Sequence, residues 1–148
     1  DILKAIKPLK LMRGAKETLR RLKKEDMKLV VISGSLNLVL EKILPDYEDY
    51  FDYVFINNLF FNKDNKIDKV VSTLYDKGNK GDALKLIAKK EGVALSETVF
   101  VGDNNNDVDA ARIAGLSIAF NPQCPEIKAI SDVVIEEKDL RLILKYIT

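Results

Sequence analysis

Two acidic residues four apart, Asp103 and Asp107, stand in the run Val101-Gly102-Asp103-Asn104-Asn105-Asn106-Asp107, directly behind an apolar stretch. One carboxylate closing a strand and one in the first turn of a helix can converge on a single hard cation, and Mg2+ suits a site of few protein ligands completed by water. Ser33 and Gly34 offer a hydroxyl and a backbone amide after another apolar run, residues 28–32, a pairing suited to a phosphate oxygen. Lys80, in Gly78-Asn79-Lys80-Gly81-Asp82, starts a helix, where the macrodipole disfavours a cation unless an anion is close. Together these groups assemble a phosphate-handling centre. Singly, each has a plain structural alternative: a capped turn at Ser33-Gly34, a capped Asp/Asn loop at 103–107, and a solvated lysine at 80.

The rest of the composition narrows the chemistry. The chain has 148 residues and no His, so His-based triads and His metal sites are excluded, and any reaction must rest on carboxylates, lysine, hydroxyls and backbone amides. Lys and Arg number 24 against 23 Asp and Glu, a balance that argues against a nucleic-acid surface. The first thirty residues hold ten Lys/Arg against four Asp/Glu, but their helical spacing reads as a solvated face. No apolar run reaches membrane-spanning length. Cys124 is the only cysteine, which excludes an intrachain disulfide framework and points to a reducing cytoplasm. At 47% hydrophobic residues the chain has the size and composition of one globular domain.

The elements that must position these groups follow from periodicity. Residues 14–24 carry Ala15, Leu19 and Leu22 at helical spacing; residues 28–32 read as a strand covered on both faces, stopping at Ser33-Gly34-Ser35. A helix over 36–44, ended by Pro45, and a strand over 52–56 complete a βαβ unit. Residues 57–75, with apolar pairs around Lys63-Asp64-Asn65, predict a hairpin excursion from the sheet. Alternation then resumes: helix 81–91 with Gly92 as its stop, strand 98–101, helix 107–114, strand 116–120, strand 132–135 and helix 140–146. The fold class is α/β, a doubly wound, mostly parallel sheet whose ligands bind outside the carboxyl ends of the strands.

In this order, a hydroxyl after one strand, a lysine before a later helix, and Gly102-Asp103 with Asn106-Asp107 after the next strand, the chain resembles the haloacid dehalogenase (HAD) superfamily, and within it the phosphoserine phosphatase-like branch. The likeness runs over nearly all of the 148 residues, taking in Gly14-Ala15-Lys16-Glu17-Thr18-Leu19, Val30-Val31-Ile32-Ser33-Gly34, Phe55-Ile56-Asn57-Asn58-Leu59, Lys80-Gly81-Asp82 and Ile118-Ala119-Phe120-Asn121-Pro122. The resemblance implies a Rossmann-like HAD core and a Mg2+-dependent phosphomonoester phosphatase acting on a small phosphorylated metabolite. By it, Ser33 and the Gly34 amide bind the transferring phosphoryl group, Lys80 offsets charge on it, Asp103 ligates Mg2+ with Asp107 directly or through water, and Asn106 supports the loop. Asn104 stands where the family usually has Gly, and Asn tolerates left-handed backbone better than most residues. Where the branch typically has Gly-Gly-Phe after the serine, this chain has Gly34-Ser35-Leu36, which leaves the phosphoester open.

One family element has no counterpart here. The nucleophile implied by the resemblance is the first Asp of an Asp-x-Asp after a strand, and the only Asp-x-Asp, Asp107-Val108-Asp109, lies in the last phosphate motif. The expectation is therefore of the later portion of a HAD core, lacking the helical cap and a central strand between those ending at Ile32 and Val101. Residues upstream of Asp1 or a second chain would fill that gap, and the chain alone would be inactive. The competing reading is a catalytically silent HAD-like module that keeps a phosphate or Mg2+ site. A receiver domain fits less well, since it needs paired acids after its first strand where this chain has Ser33-Gly34, and a nucleotide-binding Rossmann domain less still, since no Gly-rich phosphate loop follows the first strand here.

Overall fold

The computed structural model describes residues 9–148. Helix α1, Ala15–Lys24, buries Ala15, Thr18 and Leu22, while its half-buried Lys16 and Lys23 pair with Asp46 and Asp52. It leads to β1, Val30–Leu36, which pairs in parallel with β2, Tyr53–Phe61, through α2, Asn37–Ile43. Beyond Asn57, β2 leaves the parallel ladder and pairs antiparallel with β3, Ile67–Val71, making a hairpin whose outer strand is exposed throughout. Helix α3, Lys80–Glu91, follows and ends on Gly92 at φ 68. The second half of the chain lays β4, Val99–Gly102, beside β5, Leu116–Phe120, and β6, Val133–Ile135, all parallel. Between these strands run a 3-10 turn at Asn105–Asp107, α4 at Val108–Ile113 and α5 at Pro125–Ile130; a 3-10 turn at Leu140–Ile143 and α6 at Leu144–Ile147 close the chain.

The β4-β5-β6 sheet carries apolar packing on both faces. Phe100 and Ala119 face Ala110 and Ala111 of α4 and Ile127 of α5, while Ile118, Phe120 and Ile135 face Ile143. Ile118 and Ile127 are almost wholly buried, each worth on the order of 2 kcal/mol by apolar transfer. The first sheet is thinner. Residues 30–32, read from the sequence as covered on both faces, are only half-buried. The reason lies in the strand order: the described residues form two three-stranded sheets, β1-β2-β3 and β4-β5-β6, in which β1 and β4 each pair on one side only. Val99 and Val101, on the free-edged β4, are accordingly 37% exposed.

The sequence ended the first strand at Ser33; in the structure it continues to Leu36 across a register slip, Ile32 opposite Phe55 but Leu36 opposite Asn57. Such a bulge adds residues to one strand, so Ser33-Gly34-Ser35 leaves the register without ending the strand. Two expected helices likewise start with tighter 3-10 turns, at Asn105 and Leu140.

A charged cluster ties the chain's end to α1. Arg141 grips Asp139 through Nε at 2.9 Å and Nη2 at 2.5 Å, and Arg13 adds a contact at 3.3 Å. The Arg141 hydrogen bonds hold the Asp139 carboxyl down at about 2 from its ordinary 3.8. A depressed folded-state pKa contributes stability above the unfolded value that is lost as pH falls through the folded one. Wild-type protein is therefore expected to lose stability between about pH 4 and pH 2 in a phase that Asp139→Asn removes, read by acid titration of circular dichroism; identical profiles would refute this role for Asp139.

Candidate active site

The residues singled out in the sequence fall into two clusters, one of the loop after β4 with the first turn of α3 and one in the bulge of β1, joined by a bridge. At the first turn of α3, Lys80 is buried, 7% exposed, and its Nζ donates to Asp107 Oδ1 at 2.6 Å. The solvated-lysine alternative does not survive this placement. Asp107 is buried as deeply, at 3%, and its Oδ2 accepts the backbone N–H groups of Asp103 at 2.8 Å and Asn104 at 3.1 Å. One carboxylate thus folds the loop after β4 and also provides the anion that a cation at a helix N-terminus requires. Gly102 makes this possible by having no side chain: a Cβ there would lie 2.7 Å from the Asp107 Cβ, Cγ and Oδ2 atoms.

Asp103 closes β4 with a carboxyl raised above the ordinary value, first because it is partly withdrawn from water and second because the Asp107 charge is close; Lys80 offsets only part of this. The residue as a whole is exposed. Its carbonyl accepts the Gln123 N–H at 2.7 Å, which pins the loop after β5 to the site. Asn104 needs no left-handed backbone: it is extended, at φ −138, and its side chain accepts from the Asn105 N–H. The sequence argument from left-handed tolerance is thereby corrected, because the turn is made by the 3-10 segment that follows.

Asp109 is a positioning residue that the sequence reading left without a role. Its Oδ2 accepts the Gly81 N–H at 2.7 Å, so α4 caps the first turn of α3 from outside, two residues beyond the Lys80 partner. Gly81 permits the approach, since a Cβ there would stand 3.0 Å from that same oxygen. The sequence signal was present as spacing, Lys80-Gly81 against Asp107-Val108-Asp109, but only the packing of α3 on α4 pairs them.

Ser33 and Gly34 sit on the other sheet. Ser33 Oγ accepts the Ser35 N–H at 3.1 Å within the bulge, and the Gly34 carbonyl accepts Asn57 Nδ2 at 2.7 Å. The bridge between the clusters is Asp76: its Oδ2 accepts Asn57 Nδ2 at 3.3 Å, and its carbonyl accepts Asn106 Nδ2 at 3.4 Å. The structure thus unites Lys80, Asp103, Asn104 and Asp107 directly; Asn106, in the same loop, reaches the Asp76 carbonyl, and Asn57 ties Asp76 to the Ser33-Gly34 segment.

The donor set is hard oxygen throughout. Among the described residues no group of three or more His, Cys, Asp or Glu side chains is placed to hold a metal. Two carboxylates, one of them short of compensating positive charge, fit instead an ion such as Mg2+ that takes one or two protein carboxylates and completes its shell with water and phosphate oxygen. No helix among the described residues is long and apolar enough to cross a membrane.

Comparison with known proteins bears on the arrangement directly. The haloacid dehalogenase-like hydrolase family matches residues 1–115. The phosphoserine phosphatase of Methanocaldococcus jannaschii is 39% identical over 144 residues, covering 97% of this chain and 67% of its own length. That of Lactococcus lactis is 32% identical over 141 residues, 95% of this chain and 64% of its own. The chain therefore spans about two thirds of these curated relatives. A solved structure of a phospho-aspartyl intermediate analogue of phosphoserine phosphatase superposes with a TM-score of 0.84 at 39% identity, over 99% of this chain and 69% of that one. The order of motifs, the fold and these likenesses agree, and the chain belongs to the haloacid dehalogenase-like hydrolases, on their phosphoserine phosphatase-like branch.

Proposed function

We propose that this chain forms the phosphate- and Mg2+-handling part of a phosphomonoester phosphatase working through an aspartyl phosphate, with its nucleophilic carboxylate supplied by a strand between β1 and β4 that is not among these 148 residues. The observation that carries the reading is the buried Lys80–Asp107 pair beside the raised carboxyl of Asp103. Among the described residues β1 and β4 each pair on one side only, which supports the strand's placement, since an unpaired edge is a template for one more strand. The names of the relatives support a small phosphorylated metabolite as substrate, phosphoserine first.

In this reading the Ser33 hydroxyl and the Gly34 backbone hold phosphoryl oxygens, and Lys80 offsets the charge that gathers on them. Asp103 would hold Mg2+, with Asp107 directly or through water, while Asn104 and Asn106 keep the loop in shape. When bound, the ion supplies Lewis-acid polarisation of the phosphoryl oxygens and neutralises developing charge. Phosphoryl transfer asks mostly for positioning and electrostatic stabilisation, which is what these residues are placed to give.

A silent binding module is favoured by one observation: both acids of the only Asp-x-Asp are already engaged, Asp107 by Lys80 and Asp109 by Gly81. Beryllofluoride separates the two readings, because an active complete protein forms an aspartyl adduct and a silent module does not. Asp103→Asn in the complete protein is expected to abolish Mg2+-dependent hydrolysis of a generic aryl phosphate, followed as phosphate release with and without the ion. Retained Mg2+-dependent turnover would remove Asp103 from the metal site.

A further inference from the structure

We infer that Asn57 is the positioning residue of the phosphate-binding strand end, fixing the Ser33–Ser35 bulge by its amide and tying it to the loop that delivers Lys80. The assignment to phosphate rests on the function proposed above; the geometry does not. Parallel strands ordinarily hold each other by evenly spaced backbone hydrogen bonds. Here the register jumps from Ile32 opposite Phe55 to Leu36 opposite Asn57, so three residues of β1, Ser33, Gly34 and Ser35, fall outside the register pairs.

Asn57 is the residue at which the ladder resumes, and its side chain uses both ends of its amide. Nδ2 donates to the Gly34 carbonyl at 2.7 Å and to Asp76 Oδ2 at 3.3 Å, while Oδ1 accepts the Thr73 N–H at 2.7 Å. One half-buried side chain therefore orients the bulge and the segment from Thr73 to Asp76 against each other. The fit is close, since a Cβ on Gly34 would stand 3.1 Å from Asp76 Cβ. Just past the bulge, Asn37 ties the start of α2 to β2, its Oδ1 accepting the Leu59 N–H at 2.9 Å. Four residues past Asp76 the chain enters α3 at Lys80, so the same amide relates the phosphate-holding backbone to the residue that carries the positive charge.

Donor and acceptor can be separated by mutation. Asn57→Asp keeps the size and the acceptor for Thr73 but loses the donor, and it sets a carboxylate against the Gly34 carbonyl and Asp76; Asn57→Ala loses both ends. The test uses the complete protein with inorganic phosphate as the probe, measuring phosphate affinity by titration calorimetry, amide hydrogen exchange over residues 33–36 and 73–79, and melting temperature. Asn57→Asp is expected to weaken phosphate binding by about tenfold, equal to about 1.4 kcal/mol, and to speed exchange in both segments. Asn58→Ala, whose neighbouring amide donates to the Ile56 carbonyl, is expected to leave both readings alone.

Unchanged exchange and affinity in Asn57→Asp would overturn the inference, as would a variant in which only the melting temperature moves. If the parent protein binds no phosphate yet Asn57→Asp still loosens both segments, the proposed function fails and the positioning role stands. If the parent binds phosphate and the variant binds it equally, the role fails and the function stands.

Discussion

Lys80→Ala is expected to lower both stability and turnover, by amounts that two measurements can separate. The Lys80 and Asp107 side chains are 9% and 4% exposed, so deleting the cation leaves a carboxylate buried with one oxygen unpartnered. Removing one member of a buried ion pair costs about 3–5 kcal/mol, far more than the pair contributes against an apolar replacement, because the remaining charge is uncompensated. The expected fall in melting temperature is about 10 °C at the roughly 2–4 °C per kcal/mol typical of a chain of this length. The double variant Lys80→Met with Asp107→Asn removes both charges together and is expected to recover part of that loss. Turnover behaves differently. An electrostatic donor in a phosphoryl-transfer site contributes on the order of 10²–10³ in rate, and no apolar substitution restores it, so the double variant stays slow while it regains stability. Loss of activity by tenfold or less in Lys80→Ala, or recovery of activity in the double variant, would return Lys80 to a structural part.

This contrast also bears on what the sequence could convey. The residues at 33, 34, 103 and 107 stand out in the sequence because short polar residues follow apolar runs there. Lys80 alone was ambiguous: a lysine in a lysine-rich chain carries no sign of being buried, and its partner lies 27 residues away. The same holds for Asp109 and Asn57, whose roles depend on α3 docking on α4 and on a slipped register. Neither docking nor register slip leaves a periodic trace. Helix α5 has no counterpart in the sequence pattern because Ile127 is its one fully buried residue and sets no period, and only Pro125 at its first turn marks it. The stop assigned at Ser33 was too early for a related reason, as a bulge and a strand end look alike in sequence, both rich in small polar residues. The expectation of a gap between the strands ending at Ile32 and Val101 rested on resemblance alone; among the described residues β1, β3, β4 and β6 each pair on one side only.

Gly102→Ala is the second large effect expected, and its sign separates packing from chain entropy. Gly102 is not among the residues with positive φ, so its backbone suits alanine. On backbone grounds alone the substitution would stabilise the fold by about 0.4–1 kcal/mol through the unfolded state. Against this stands the 2.7 Å approach of the new methyl to the Asp107 Cβ, Cγ and Oδ2 atoms. A flexible side chain would swing aside, but Asp107 is held by Lys80 on one oxygen and by the Asp103 and Asn104 amides on the other. Relief therefore requires breaking that set or displacing the loop, and overpacking of this kind typically costs about 1–3 kcal/mol. Chemical denaturation is expected to report net destabilisation, together with loss of Mg2+-dependent phosphatase activity in the complete protein. Because the clash is with one side chain whose Cβ takes part in it, Asp107→Gly is expected to be less destabilising in the Gly102→Ala background than in wild type, a coupling that a thermodynamic cycle measures directly. Additive effects of the two substitutions, or an alanine variant as stable and active as the parent, would show that the loop yields at Gly102. Asp107 would then lose its place as the fixed point on which Lys80 and Asp103 are set.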